Sequence, residues 1–242
     1  MSVRLPRNPF RGLVSLLYPQ FCVACAGVAG PGETLCAACI AKAPRILPPF
    51  CAKCSQPFAG AITGSFTCAN CEGRVLHFDA AVSAYRSRGV VRKVVHDFKY
   101  GRHLHLRHLL GRWLAEGLED PRLLGRRFDF IVPVPLHPAR KRERSFNQAE
   151  LLALALNRLT GLPLQSALQR TRYTRTQTLF DRNERMENLR GAFRLRRGSN
   201  VQDLRMLLVD DVLTTGSTLS ECGSVLKKAG ALSVHALTAA RG

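Results

Sequence analysis

The sequence predicts an α/β protein, a mostly parallel sheet flanked by helices, carrying a small cysteine-rich domain at its N-terminus. Three observations carry that prediction. Eight of nine cysteines fall into four C-x-x-C pairs within a short N-terminal span. Beyond Phe78, strand-like and helix-like segments alternate. Near the C-terminus, the fully apolar run Met206–Val209 leads into two acids and then a hydroxyl-rich turn that opens a helix.

The cysteine pairs are Cys22/Cys25, Cys36/Cys39, Cys51/Cys54 and Cys68/Cys71. Met1 to Pro19 has too short an apolar core for an export signal, so a reducing, cytoplasmic location is expected, where thiols persist. The pairs then read as ligands of two structural zinc ions. An approximate repeat supports this: each half has two pairs joined by a Pro- or Gly-containing connection, and Pro48-Pro49 separates the halves. Sequential pairing is simplest, and an interleaved arrangement also yields two four-thiolate sites. Metal binding would supply folding energy that so small a core cannot. Composition shifts near Phe78, which divides the chain into 1–76, a double zinc ribbon, and 77–242, the α/β domain.

In the second part, Phe78 to Tyr85 is a strand candidate. Val90, Val91, Val94, Val95 and Phe98 recur at helical spacing. Leu104 to Leu118 reads as a helix, Phe128 to Pro135 as a strand and Gln148 to Leu159 as a helix. Met206 to Val209 suits the centre of a parallel sheet. Gly216 to Ala229 is the next helix and Val234 to Ala239 the last strand.

Charge narrows the partners. Across 242 residues, 36 Lys and Arg against 17 Asp and Glu give a net charge of +19. The surplus is shared by both parts and predicts a phosphate-rich partner or substrate. No apolar stretch is long enough to span a membrane.

The candidate site lies where Met206–Val209 meets Asp210 and Asp211, followed by Thr214, Thr215, Gly216, Ser217 and Thr218. A helix N-terminus offers free N–H groups and a positive dipole end to a phosphate. Gly216 permits close backbone approach, and the hydroxyls add donors. Carboxylates at the carboxyl end of the strand are placed to accept hydrogen bonds from sugar hydroxyls. Neither a Walker A loop nor G-x-G-x-x-G occurs.

This segment resembles the phosphoribosyl-pyrophosphate (PRPP) motif of type I phosphoribosyltransferases. Together with the cysteine-rich N-terminus, the whole chain resembles the competence-associated ComF family. Val132 to Gln148 is similar to that family's PVPLHP and RGFNQ stretch, with Ser145 where a glycine is usual. Thr174, Gln177, Glu184, Arg185, Asn188, Leu189, Gly191, Ala192 and Phe193 are similar to a further family segment, where Leu179-Phe180 departs from Gly-Leu. Phe98-Lys-Tyr-Gly101 is a looser match.

The resemblance implies several roles. Arg140, Lys141, Arg142 and Arg144, read as a basic loop, would contact pyrophosphate, where fixed cations stabilise developing charge. Arg170, Arg172, Arg175 and Gln177 would belong to a flexible loop closing over the site. Asp210 and Asp211 would orient the ribose, with Mg2+ held mostly by substrate oxygens. The resemblance further implies a role in uptake of single-stranded DNA during natural transformation. Two other readings stand beside it. One is a non-catalytic zinc-ribbon module that binds nucleic acid. The other is a phosphoribosyltransferase of nucleotide metabolism, whose acceptor no segment specifies. His137 reads as a turn residue between two prolines, and Cys222 as packing in the helix after the phosphate loop.

Overall fold

The computed structural model describes residues 20–173 and 188–242. The strands are β1 (Ala81–Arg86), β2 (Phe130–Pro133), β3 (Leu168–Arg170), β4 (Phe193–Leu195), β5 (Arg205–Leu213) and β6 (Ser233–Arg241). The helices are α1 (Ala37–Ala41), α2 (Gly89–Tyr100), α3 (Leu106–Gly117), α4 (Pro138–Arg144), α5 (Gln148–Thr160) and α6 (Ser217–Lys228). Four strands form a parallel sheet in the order β1-β6-β5-β2, and β3 and β4 pair antiparallel beside it.

Strand alternation sends successive side chains to opposite faces, and both faces of this sheet are covered. Val82, Leu207, Val209 and Leu237 pack on one side among Val91, Val94 and Phe98 of α2, Leu110 and Leu114 of α3, and Leu152 and Leu156 of α5. Ala81, Met206, Leu208 and Ala236 pack on the other among Leu219, Cys222 and Leu226 of α6 and Leu168 and Phe193 of the hairpin. Burial on both sides explains why Met206 to Val209 is apolar without alternation.

The zinc-ribbon part repeats itself in three dimensions. Cys22 N–H donates to Gly27 O at 2.7 Å, and 29 positions on, Cys51 N–H donates to Gln56 O at 2.8 Å. Ala26 and Ser55, equivalent in the two knuckles, both take φ +59°. The first ribbon buries Cys22, Leu35 and Cys39 against the α2/α3/α5 side of the sheet, and the second buries Cys51, Cys54 and Cys71 on the α6 side. Arg122 ties the second ribbon down, donating to Cys51 O (3.1 Å), Ala52 O (3.3 Å) and Ser55 Oγ (2.8 Å).

Several expectations shift. The first strand begins at Ala81 rather than Phe78. The central strand extends through both acids to Leu213. The expected basic loop is instead helix α4, with Pro138 at its first turn and His137 as N-cap, its Nδ1 accepting from Ala139 N–H at 3.2 Å. None of its residues is buried, so no apolar periodicity announces it. It ends at Ser145, which takes φ +66°, the left-handed conformation a glycine would occupy there at no steric cost.

Candidate functional site: a phosphate loop flanked by two carboxylates

Strand β5 ends at Leu213 and α6 begins at Ser217, so residues 214–216 turn the chain from sheet to helix. Gly216 makes that turn with φ +77°, as the N-cap of α6. An added Cβ would make only ordinary contact with the Phe78 ring, at 3.5 Å, so it is the positive φ that calls for glycine here. The first amides of a helix have no partner within it. Among the described residues, the amides of Thr214, Thr215, Gly216 and Thr218 donate to no other group, and Ser217 N–H reaches only Thr215 Oγ1, at 3.4 Å. Thr215 Oγ1 and Ser217 Oγ lie 2.9 Å apart. These are unspent donors beside a positive dipole end, the arrangement that receives a phosphate.

The second zinc ribbon props this loop from behind. Arg74 donates to Thr215 O at 2.9 Å and to Asn70 O at 2.9 Å, and Asn70 Nδ2 lies 3.5 Å from the same Thr215 carbonyl. With its carbonyl so engaged, the Thr215 peptide is held in one orientation. At the far side, Gly242 N–H and Arg241 both donate to Leu213 O, at 2.8 and 3.3 Å.

Because the strand continues through both acids, alternation separates them. Asp211 follows Leu207 and Val209 onto the α2 face. There it is buried, with Lys99 Nζ 3.0 Å from its Oδ1. Asp210 goes with Met206 and Leu208 to the α6 face, half-buried, its Oδ1 accepting from Asp211 N–H at 2.9 Å. Burial and then the charge of Asp211 push the Asp210 carboxyl up to about 7, against the opposing pull of that amide, Lys99 and Arg170. Burial works against the charge on Lys99, yet Asp211 and Asp210 together hold its pKa above the ordinary lysine value. The two carboxylates thus carry different electrostatics: Asp211 is neutralised by an ion pair, and Asp210 is poised near neutrality.

The expected cations disperse. Lys141 pairs with Glu150 at 3.0 Å. Arg144 lies over the Tyr100 ring, 4.9 Å from its centroid, and donates to Tyr100 Oη at 3.2 Å. Arg140 lies 5.9 Å from the centroid of Tyr173, and Arg142 is exposed. Arg170 belongs to β3 rather than to a loop, with its guanidinium 5.2 Å from the centroid of Phe193. Burial and Arg140 depress its pKa, against the opposing pull of Cys222 and Asp210. Arg172 donates to Asn188 O (2.7 Å) and Arg190 O (3.0 Å), joining the described residues on either side of 174–187. Arg175 and Gln177 lie outside the described residues. Lys99 is the residue that pattern reading did not assign. Its signal was the Phe98-Lys-Tyr-Gly101 turn, but only the fold brings it to Asp211. Cys222 is fully buried on α6, as packing requires.

The thiols gather in sequential order: Cys22, Cys25, Cys36 and Cys39 in one cluster, and Cys51, Cys54, Cys68 and Cys71 in the other. Within each, all sulfurs lie within 4.8 Å of one another. Cys25 and Cys36 Sγ are 3.7 Å apart, and Cys54 and Cys68 Sγ 3.6 Å. A tetrahedron with Zn–S of about 2.3 Å has edges of about 3.8 Å. Both clusters fit a structural zinc, and the interleaved alternative is excluded by the geometry.

A parallel sheet with a phosphate loop and paired acids at its carboxyl edge, carrying a double zinc ribbon, defines the class: a phosphoribosyltransferase-type domain fused to a metal-binding module. The chain matches the double zinc ribbon domain family over residues 13–75 and the phosphoribosyl transferase domain family over 142–242. It is 33% identical over 204 residues to DNA utilization protein YhgH of Escherichia coli, covering 83% of this chain and 87% of that one. It is 42% identical over 102 residues to competence protein F of Haemophilus influenzae (41% of this chain, 44% of that one). To competence protein ComFC of Bacillus subtilis it is 25% identical over 227 residues (87% and 85%). The chain belongs to the ComF family of competence and DNA utilization proteins. No described helix is long and apolar enough to cross a membrane.

Proposed function

We propose that residues 214–218 bind the 5′-phosphate of a phosphoribosyl ligand of the PRPP class, and that the protein serves single-stranded DNA uptake in natural transformation from the cytoplasm. The observation that carries the ligand reading is the set of unspent amides at Thr214, Thr215, Gly216 and Thr218, directly after a strand that presents two carboxylates. A 5′-phosphate would take those amides and the Thr215 and Ser217 hydroxyls. Asp210, partly exposed, accepts from a ribose hydroxyl when ionised, while Asp211 is ion-paired with Lys99 on the other face of the strand. Mg2+ would neutralise pyrophosphate, bound mainly through substrate oxygens. The charge of +19 and the names of the relatives support a DNA-handling role.

In the catalytic form of this reading, the C1′–O bond to pyrophosphate breaks as an acceptor nucleophile bonds to C1′. Pyrophosphate then leaves with the electron pair. Pyrophosphate release, measured with PRPP and Mg2+ and with or without single-stranded DNA, tests it. Asp210→Ala and Asp211→Ala abolish release and leave DNA binding intact if the reading holds. Binding of PRPP without release, unchanged by DNA, identifies a binding protein. Failure of the wild type to bind PRPP at all removes the proposal.

A further inference from the structure

The amino edge of the sheet, the end away from the phosphate loop, carries a basic groove. Two adjoining cavities, of about 410 and 380 Å³, share Arg126, Leu232, Ser233 and His235 as a common wall. Both open beside the first residues of β5 and β6. Nine-residue strands put them about 25 Å from the loop at the other end.

Two independent features mark this groove as built for an anion. The first is its cations. Lys53, Arg126 and Arg127 line it, all are exposed, and none forms an ion pair among the described residues. Lys53 and Arg126 are steadied by neutral carbonyls, those of Asp79 and Arg122. The acid in the wall, Asp79, is already neutralised by Lys227 at 2.6 Å. The second is His235. It is 3% exposed and lines both cavities, yet its Nδ1 has no hydrogen-bond partner among the described residues, the Asp79 carboxylate lying 4.0 Å away. A buried polar atom left unpaired costs stability unless something supplies the missing bond.

We propose that this groove binds the phosphodiester backbone of single-stranded nucleic acid, with His235 Nδ1 meeting a phosphate oxygen and Lys53, Arg126 and Arg127 tracking the chain on either side. Cations strung along two joined cavities suit a repeating phosphate rather than a lone ion, and exposed unpaired arginines suit a partner that must arrive and leave. The inference rests on the nucleic-acid part of the proposed function and not on its PRPP part.

The test measures binding of a fluorescent oligothymidylate of roughly 15 nucleotides, a length suited to a backbone-tracking groove, across a salt series. The Arg126→Ala/Arg127→Ala variant should bind roughly tenfold more weakly. Its log–log salt slope should be shallower by about 1.4, as two lost phosphate contacts on a single strand require. Lys53→Ala, from the ribbon side of the groove, should move both readouts the same way. Arg88→Ala/Arg92→Ala removes equal charge from two exposed positions near the start of α2 and should change little. Equal losses in the two double variants mean diffuse charge and overturn the groove. So does displacement by inorganic phosphate with no dependence on oligonucleotide length, which would make it a lone-phosphate site. Absence of wild-type binding sinks the nucleic-acid reading itself, whereas unchanged binding by Arg126→Ala/Arg127→Ala sinks only the groove.

Discussion

Arg74, on the second zinc ribbon, donates a 2.9 Å hydrogen bond to the carbonyl of Thr215, in the middle of the phosphate loop. The contact joins two parts of the chain 141 residues apart and makes the ribbon a structural support of the candidate site. A hydrogen bond from a charged donor is worth about 1.5–3 kcal/mol. Arg74→Ala should therefore weaken PRPP binding by about tenfold, measured by calorimetry. Zinc content by mass spectrometry should stay at two ions. Unchanged affinity would mean the loop holds its shape without the ribbon.

The two ribbons differ in how firmly they are joined to the sheet. The second is held by Arg122, by the Arg241 bond to Cys54 O at 3.2 Å and by Ala81 N–H to Lys53 O at 2.8 Å. The first reaches the sheet through Ile46 N–H to Ala84 O at 3.0 Å and Arg86 N–H to Pro44 O at 2.8 Å, and through the apolar packing of Cys22, Leu35 and Cys39. It adds two solvent-exposed ion pairs, Arg45–Glu116 and Arg112–Glu33, whereas the charged contacts of the second are buried. Cys54→Ser and Cys25→Ser should each release one zinc. The first should lower Tm by roughly 10 °C, the effect of about 3 kcal/mol in a chain of this size, and the second by less than half of that. Equal losses would contradict the asymmetry.

What the sequence disclosed and what it withheld follow from the kind of signal each part leaves. The double ribbon and the central strand were legible because four thiol pairs at ligand spacing suit little but a metal, and an unbroken apolar run of that length suits a strand covered on both faces. Helix α4 was not, since Arg140 to Arg144 carry no apolar stripe and the cap at His137 supplies the start signal instead. The hairpin of β3 and β4, three residues per strand, is too short for a period. From sequence, the adjacent Asp210 and Asp211 share one expected role, accepting from the ribose hydroxyls. Only the extension of β5 to Leu213 shows that they face opposite sides.

Asp210 gives the site a pH signature. Its folded pKa is raised to about 7 from an ordinary 3.8. A group raised on folding contributes stability that is full below the unfolded value and is lost as pH climbs through the folded value. The ligand-free protein should lose stability between about pH 4 and pH 7 through this residue. Asp210→Asn should remove that component and raise stability at pH 8 by about 2 kcal/mol, discounted because the group keeps solvent contact. Urea titrations of both proteins across the range check this, and parallel pH profiles would refute it.

Gly223 lies inside α6, where a glycine is normally a weakness. Its reason is the chain leading into β1: a Cβ there would stand 2.2 Å from His77 O. Backbone cannot yield as a side-chain tip does, so Gly223→Ala should cost at least ~3 kcal/mol despite its better helix propensity. Gly125→Ala, whose Cβ meets nothing within 4 Å but whose φ is +73°, should cost only about 1 kcal/mol. Thermal melts of the two variants separate steric from conformational cost, and a reversed order would refute the close approach.

Lys99 and Asp211 form the ion pair on which the site's charge depends, 3.0 Å apart with side chains 21% and 9% exposed. Removing one member of so enclosed a pair leaves a charge without compensation, which costs more than the pair contributes. Lys99→Met should therefore destabilise by about 3 kcal/mol. Asp211→Asn, which leaves a lysine that still reaches solvent and still feels the charge of Asp210, should cost less. Combining the two should recover part of the loss, with a coupling of at least ~1.5 kcal/mol in a double-mutant cycle. Additive effects, with coupling below ~0.5 kcal/mol, would mean that Asp211 is satisfied without Lys99. The lysine would then be a neighbour of the carboxylate rather than the group that compensates its charge.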